Sequence, residues 1–451
     1  MVPIVIAKPT ADSHFNDSTS PRRSVGLVTA TAVVVANIIG TGVFTSLGFQ
    51  LAEIQSGFAL LLLWIVGGVV ALCGALCYGE LSAALPRSGG EYHLLSAIYH
   101  PALGFMAGFI SATVGFAAPI ALAAMAFAKY FEGISGVHLP LLLSFVVVWL
   151  IAAVHMAGVK PGAAFQNIST AMKLLVIAAL MVAGFSMESK QPMRFTPASG
   201  DGLIVFGPAF AVALVYVMYS YSGWNAAAYI AGEIKRPEVN IPRALLGGTL
   251  LVMIIYTALN AVFLLSTPAS GLRGQLEVGL IAGNHIFGEQ GGKVVGAIIC
   301  LGLLSAISSM TWIGPRVTMS MGEDHWLLQL LGRKNSRGVP VNAILAQMLI
   351  VSLLLLTRSF ELVVIYIQFS LLLCSLLTVV GVMVLRKTRP DLPRPYRIWA
   401  YPLPPLIFSI ITIWMMVRLL YSHPVESLLG LGTMLAGLVF YFAAKPRLIT
   451  R

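Results

Sequence analysis

Ile38-Ile39-Gly40-Thr41-Gly42-Val43-Phe44 interrupts the first long apolar stretch of the chain with two glycines and a threonine. A second interruption of the same kind, Tyr219-Ser220-Tyr221-Ser222-Gly223-Trp224-Asn225, lies far downstream. Around them, the 451 residues are 58% AVILMFWYC and only 10% Asp, Glu, Lys or Arg, with a mean hydropathy of +0.89. Soluble domains carry about 25% charged residues. A water-soluble protein of this size cannot cover its surface with so few, so a soluble enzyme is excluded. The composition calls instead for membrane-spanning helices of about 20 residues each.

Twelve apolar segments follow a polar start, at about 25–49, 58–83, 103–131, 139–157, 162–186, 204–230, 243–265, 293–319, 340–357, 362–385, 402–421 and 426–444. They predict an all-α membrane protein with 12 transmembrane helices. The third segment is long and is expected to tilt. Residues 1–21 lack a signal peptide's apolar core and read as a cytoplasmic tail, as do residues 446–451. With the N-terminus inside, 20 Lys and Arg fall on the inner side and 6 on the outer, while Lys173 and Arg418 lie within segments. That asymmetry predicts both termini in the cytoplasm. It also explains the net charge of +11 as loop charge, with no nucleic-acid partner. The four cysteines, Cys73, Cys77, Cys300 and Cys374, lie in apolar runs and read as small buried hydrophobes. The eight histidines show no ligand spacing, so no metal, cofactor or catalytic group is expected.

The two interruptions fall in the first and sixth segments. They occupy matching places if the first ten segments are two five-helix repeats, about 22–186 and 204–385. An odd number of spans per repeat makes the repeats inverted. Close packing of small residues is the competing reading; interrupted spans in corresponding halves point to a secondary transporter's site.

Longer motifs sharpen this. Tyr78-Gly79-Glu80-Leu81-Ser82-Ala83-Ala84-Leu85-Pro86-Arg87-Ser88-Gly89-Gly90-Glu91-Tyr92 closes the second segment. Glu233-Ile234-Lys235-Arg236-Pro237 and Asn240-Ile241-Pro242-Arg243-Ala244 follow the second interruption, and Arg394-Pro395-Tyr396-Arg397 precedes the eleventh segment. With the Gly40-Thr41-Gly42 and Ser222-Gly223-Trp224-Asn225 breaks, the chain resembles the amino acid–polyamine–organocation (APC) superfamily, in particular its L-type amino acid transporter branch and bacterial relatives. The resemblance covers about residues 22–445. It implies one transporter domain of the leucine-transporter type, a 5+5 inverted repeat with helices 1 and 6 broken and helices 11 and 12 added. It also implies a multi-pass permease of a bacterial cytoplasmic (inner) membrane, working as antiporter or symporter.

An amino acid presents a carboxylate and an ammonium on one carbon. A broken helix frees N–H groups at the start of its second half and carbonyls at the end of its first, and the helix dipoles favour the matching charges. The N–H groups of Thr41, Gly42 and Val43, beside Gly40 and helped by the Thr41 hydroxyl, are the candidate carboxylate donors. The carbonyls of Ile38, Ile39, Tyr219, Ser220 and Ser222 are the candidate ammonium acceptors. The resemblance makes Tyr219 an aromatic lid; a packed tyrosine is the alternative. Asn225 reads equally as a substrate ligand or as a tie for the loosened helix. Ala226 stands where some relatives carry an aromatic.

Lys173 lies mid-segment. A charge there costs at least about 2.5–3.5 kcal/mol, which makes it a functional candidate. The resemblance places it where sodium-coupled relatives hold a sodium ion, bridging the first break and hydroxyls of the eighth segment, among them Ser305, Ser308, Ser309 and Thr311. It is either a fixed cation or a carrier of a coupling proton. Glu80, Arg87 and Glu91 read as residues that order the turn at 86–90 or pair with loops, Glu233 with Lys235 and Arg236 as a loop anchor, and His155 as a satisfied interface histidine.

No Asp or Glu lies in the inner part of segments one, three, six, eight or ten. This favours a neutral amino acid; a proton-coupled transporter of a cationic amino acid or polyamine is the alternative. The loop at 129–138 has no cysteine, where relatives that bind a heavy subunit carry one. No disulfide-linked heavy subunit is therefore expected, and the protein is a monomer or homodimer in the lipid bilayer. A channel would need a continuous polar path; a membrane enzyme would need a nucleophile–base pair that the segments lack.

Overall fold

A computed structural model of the chain describes residues 23, 25–158, 163–188 and 190–443. The tails read at 1–21 and 446–451 lie outside these residues. Among the described residues, nine helical segments are long and apolar enough to cross a membrane. Three shorter apolar helices, Pro140–Met156, Pro208–Tyr221 and Val341–Leu356, fall where the sequence places the fourth, sixth and ninth segments. The only β-type pairing among the described residues is an isolated bridge between Val25 and Ile234. The protein is an all-helical, multi-span membrane protein.

Local chemistry sets several helix starts. The Ser56 hydroxyl accepts the Ala59 N–H at 3.2 Å and begins helix Gly57–Ala84. Ser359 does the same with Leu362 for Phe360–Thr388. The third segment starts with a His100 cap and Pro101 in its first turn, a position where the missing N–H costs nothing. The seventh begins at Pro237 for the same reason, six residues before the sequence-based start at 243.

The first segment is two helices, Leu27–Ile38 and Gly42–Glu53. The chain leaves the helix at Ile39 (ψ 81°). The sixth is Pro208–Tyr221, then an open stretch with Ser222 at ψ 135° and Gly223 at φ 103°, then the single turn Ala226–Tyr229. Two further irregularities had no signal in the sequence reading. A π-helical turn, Ser111–Gly115, splits the third segment, and helix Val278–Asp324 is broken at Gly288 (φ 76°), so a short helix precedes the span read at 293–319.

The second and seventh segments pack against each other, as do the third and eighth. The first half of the first segment, Leu27–Ile38, lies on the seventh, and the sixth lies on the second; the third contacts the ninth, and the eighth contacts the fourth. The second half of the first segment crosses the first half of the sixth with backbones almost touching. A Cβ on Gly42 would lie 2.4 Å from Ser220 Cα, and one on Gly223 would lie 2.8 Å from the Asn37 carbonyl. Only glycine fits either crossing.

Gly42→Ala should therefore destabilise the protein by about 1–3 kcal/mol, seen as a lower melting temperature in detergent. Gly247→Ala, where an added Cβ meets nothing within 4 Å, should leave it unchanged or raise it. Equal behaviour of the two variants would refute the close crossing.

Candidate substrate site between two broken helices

A cavity of about 210 Å³ lies between the two breaks. Ile38, Gly40, Thr41 and Gly42 line it from the first segment; Tyr219, Ser220, Ser222, Gly223 and Asn225 line it from the sixth. Ile39 and Val43 are buried and do not line it. Among the described residues, no backbone carbonyl accepts from the N–H of Thr41, Gly42 or Val43, and no backbone N–H donates to the carbonyls of Ser220 or Ser222. The cavity is thus bordered by free donors on one break and free acceptors on the other.

The remaining freed groups are engaged from within the protein. The Ile38 carbonyl accepts from the Tyr256 hydroxyl at 2.7 Å. The Ile39 carbonyl accepts from Lys173 Nζ at 2.9 Å. The Ile38 oxygen also accepts the Gly40 N–H at 2.8 Å, which uses both its lone pairs, while the Ile39 oxygen keeps a second one; neither is an empty acceptor. The Tyr219 carbonyl accepts the Ser222 N–H at 3.0 Å. The Thr41 hydroxyl is 2.6 Å from the Tyr219 hydroxyl, so the two residues join the breaks to each other. Gln368 Nε2 donates to Ser222 Oγ at 3.2 Å.

Lys173 is only 6% exposed, and its stem lies on Gly302, where a Cβ would come within 2.7 Å of its Cγ and Cδ. One of the hydroxyls read as its partners has a neighbour on another helix. Ser308 Oγ is 3.0 Å from His155 Nε2, which makes His155 a paired interface residue. Ser305 is buried and Ser309 half-buried, and neither lines the cavity.

Tyr219 lines the cavity with Phe360 edge-on to it at 6.2 Å, and Phe49 stacks between Tyr216 and Phe360. Val33, Asn37, Tyr229 and Glu91 also line the cavity. The sequence reading left Glu91 to order the turn or pair with loops; it is 3% exposed, lines the cavity, and accepts from the hydroxyls of Tyr78 and Ser375. Glu80 does pair with a loop. Its carboxylate holds Arg386 at 2.8 and 2.5 Å and the Ile398 N–H at 2.8 Å, clamping the segment before the eleventh helix. Sequence reasoning also missed Tyr256, Gln368, Ser375 and the π-helical turn, whose Ser111 and Gly115 line the cavity; π-turns are frequent at functional sites.

The amino acid permease family matches residues 25–441. The mouse (Mus musculus) large neutral amino acids transporter small subunit 2 is 28% identical over 465 residues, covering 96% of this chain and 85% of the relative. The mouse b(0,+)-type amino acid transporter 1 is 27% identical over 434 residues, covering 94% and 88%. The human (Homo sapiens) large neutral amino acids transporter small subunit 2 is 28% identical over 440 residues, covering 93% and 80%.

A charged hydrogen bond is worth about 1.5–3 kcal/mol. Lys173→Ala should reduce amino acid uptake roughly 10- to 100-fold while the protein still inserts and elutes as a single species. Gly302→Ala, which displaces the lysine stem, should act in the same direction more weakly. Uptake within twofold of the parent in Lys173→Ala would sink this role.

Proposed function

The chain belongs to the amino acid permease family, and from that premise we propose that it is a secondary active transporter that moves a neutral amino acid by alternating access. The observation that carries the proposal is the pairing of unsatisfied groups across one cavity. The N–H groups of Thr41, Gly42 and Val43 would take the carboxylate, and the carbonyls of Ser220 and Ser222 the ammonium. Anionic groups favour helix N-termini and cationic groups favour C-terminal ends, so both charges of a zwitterion gain from the same geometry. Tyr219 serves as the lid, and Lys173 as a resident cation that holds the end of the first half-helix. The free groups gather at two breaks and not along a continuous polar path, which suits alternating access better than a channel.

Several observations support twelve spans in an inverted repeat. Among the described residues, nine long apolar helices and three shorter ones overlap the twelve segments read from the sequence. The contacts also come in matched sets when each segment is exchanged for its counterpart in the other repeat, the first for the sixth, the second for the seventh, and so on: the first on the seventh with the sixth on the second, and the third on the ninth with the eighth on the fourth. The Lys and Arg distribution supports cytoplasmic termini. All four cysteines are buried in helices, so no thiol is placed to link a second subunit, whatever the "small subunit" in a relative's name implies for that protein. We therefore assign the chain as a transporter without a disulfide-linked partner, a monomer or homodimer.

Two experiments test this reading. Purified protein in liposomes loaded with unlabelled leucine should accumulate radiolabelled leucine by counterflow, with saturation. Unsaturated, ohmic flux would indicate a channel, and absence of any amino acid exchange would refute the assignment. For orientation, Asp391→Cys should react with an impermeant maleimide only from the cytoplasmic side, and Val137→Cys only from the opposite side; the reverse pattern would invert the topology.

A further inference from the structure

Gly89 and Gly90 both have positive φ, 123° and 53°, conformations that only glycine adopts freely. A Cβ on Gly90 would lie 2.4 Å from the Tyr229 ring. This double-glycine turn presses the start of helix Gly90–Ile98 against the sixth segment and carries Glu91 to the cavity wall. The hydrogen bonds from Tyr78 and Ser375 both go to Oε1. Oε2 has no partner among the described residues, and it is not among the sealed polar atoms without one. The groups around the carboxylate are Tyr78, Ser375, Tyr229 and Cys374. Among the described residues no Lys, Arg or His pairs with it. A buried carboxylate without a countercharge is costly, and this one presents a free oxygen to the space that the substrate would occupy.

Its distance from the breaks follows from the tenth segment. Gln368, Leu371, Leu372 and Ser375 all line the cavity, spaced as one face of a helix. Gln368 bonds to Ser222 at the break and Ser375 bonds to Glu91. Seven residues separate the two, about 10.5 Å at 1.5 Å per residue. An extended lysine side chain reaches roughly 6 Å from Cα to Nζ, and a hydrogen bond adds about 2.9 Å. The span from break to carboxylate therefore matches a long cationic side chain and exceeds a short one.

We propose that Glu91 forms a cation subsite that receives the terminal ammonium or guanidinium of an amino acid whose α-carboxylate and α-ammonium are held at the two breaks. The proposal rests on reading the breaks as the amino acid site, and it extends the substrate class from neutral to long-chain cationic amino acids. The neutral substrates leave the subsite unfilled; the cationic ones supply the countercharge that the protein omits.

The test uses the purified full chain in liposomes loaded with leucine, with lysine, 2,4-diaminobutyrate and norleucine as external substrates. Lysine should exchange, and 2,4-diaminobutyrate, two bonds shorter, should have a kcat/KM at least tenfold lower than lysine. Glu91→Gln should lower the ratio of lysine to norleucine kcat/KM at least tenfold, with Glu91→Asp in between. Three results would overturn the subsite: norleucine exchange without lysine exchange in the parent, equal treatment of lysine and 2,4-diaminobutyrate, or an unchanged lysine-to-norleucine ratio in Glu91→Gln. If the variant changed only the pH dependence of norleucine uptake, the residue would be a proton site and the proposal wrong. The chain-length comparison needs no variant and stands even if Glu91→Gln fails to fold. Absence of exchange with every amino acid, leucine included, would refute the transport reading itself and the subsite with it.

Discussion

In hydrocarbon, an unpaired amide or carbonyl costs several kcal/mol, so backbone can leave the helix at mid-membrane only where protein or a water-filled cavity receives the freed groups. The rest of this structure is arranged around meeting that requirement twice. At the first break, Tyr256 takes the Ile38 carbonyl and Lys173 the Ile39 carbonyl. The Thr41 and Tyr219 hydroxyls close on each other. Of the residues whose groups are left unpaired, Thr41, Gly42, Ser220 and Ser222 line one cavity. The glycines follow from the same requirement, because enclosing two breaks demands that their backbones meet, and Gly42 and Gly223 permit it.

Lys173 is the costly element in this scheme. Its ammonium lies at the carbonyl end of a half-helix, where a positive charge complements the helix dipole, and its donation to Ile39 replaces part of the lost hydration. The reverse problem, a buried carboxylate, is solved in two ways in the same molecule. Glu80 is saturated by Arg386 and the Ile398 N–H, with Arg394 nearby at 3.7 Å, and is a structural clamp. Glu91 receives only two neutral hydroxyls and looks into the cavity. The two residues stand eleven apart on one motif, and the difference between them lies entirely in what the fold brings to each.

The apolar segments and both breaks were legible in the sequence because span length and local residue type dictate them. Pro101, Pro237 and the Ser56 and Ser359 caps refine ends that hydropathy alone leaves loose. Glu91 was not read as a cavity residue because carboxylates were counted only inside spans, whereas this one is delivered by a turn whose two positive-φ glycines have no hydropathy signature. The Gly89-Gly90 pair before a charged residue was the available signal. The π-helical turn at Ser111–Gly115 and the break at Gly288 depend on tertiary packing and leave no local pattern. The resemblance offered Ser308 among several hydroxyls near Lys173, but a segment assignment does not fix which neighbour a hydroxyl meets, and Ser308 lies against His155.

The central claim is that backbone, and not side chains, recognises the substrate's two charges. A cryo-electron microscopy structure with a neutral amino acid bound tests it most directly. The account predicts the carboxylate on the N–H groups of Thr41, Gly42 and Val43, and the ammonium on the Ser220 and Ser222 carbonyls beneath Tyr219. An amino acid bound with its carboxylate and ammonium away from both breaks would contradict it.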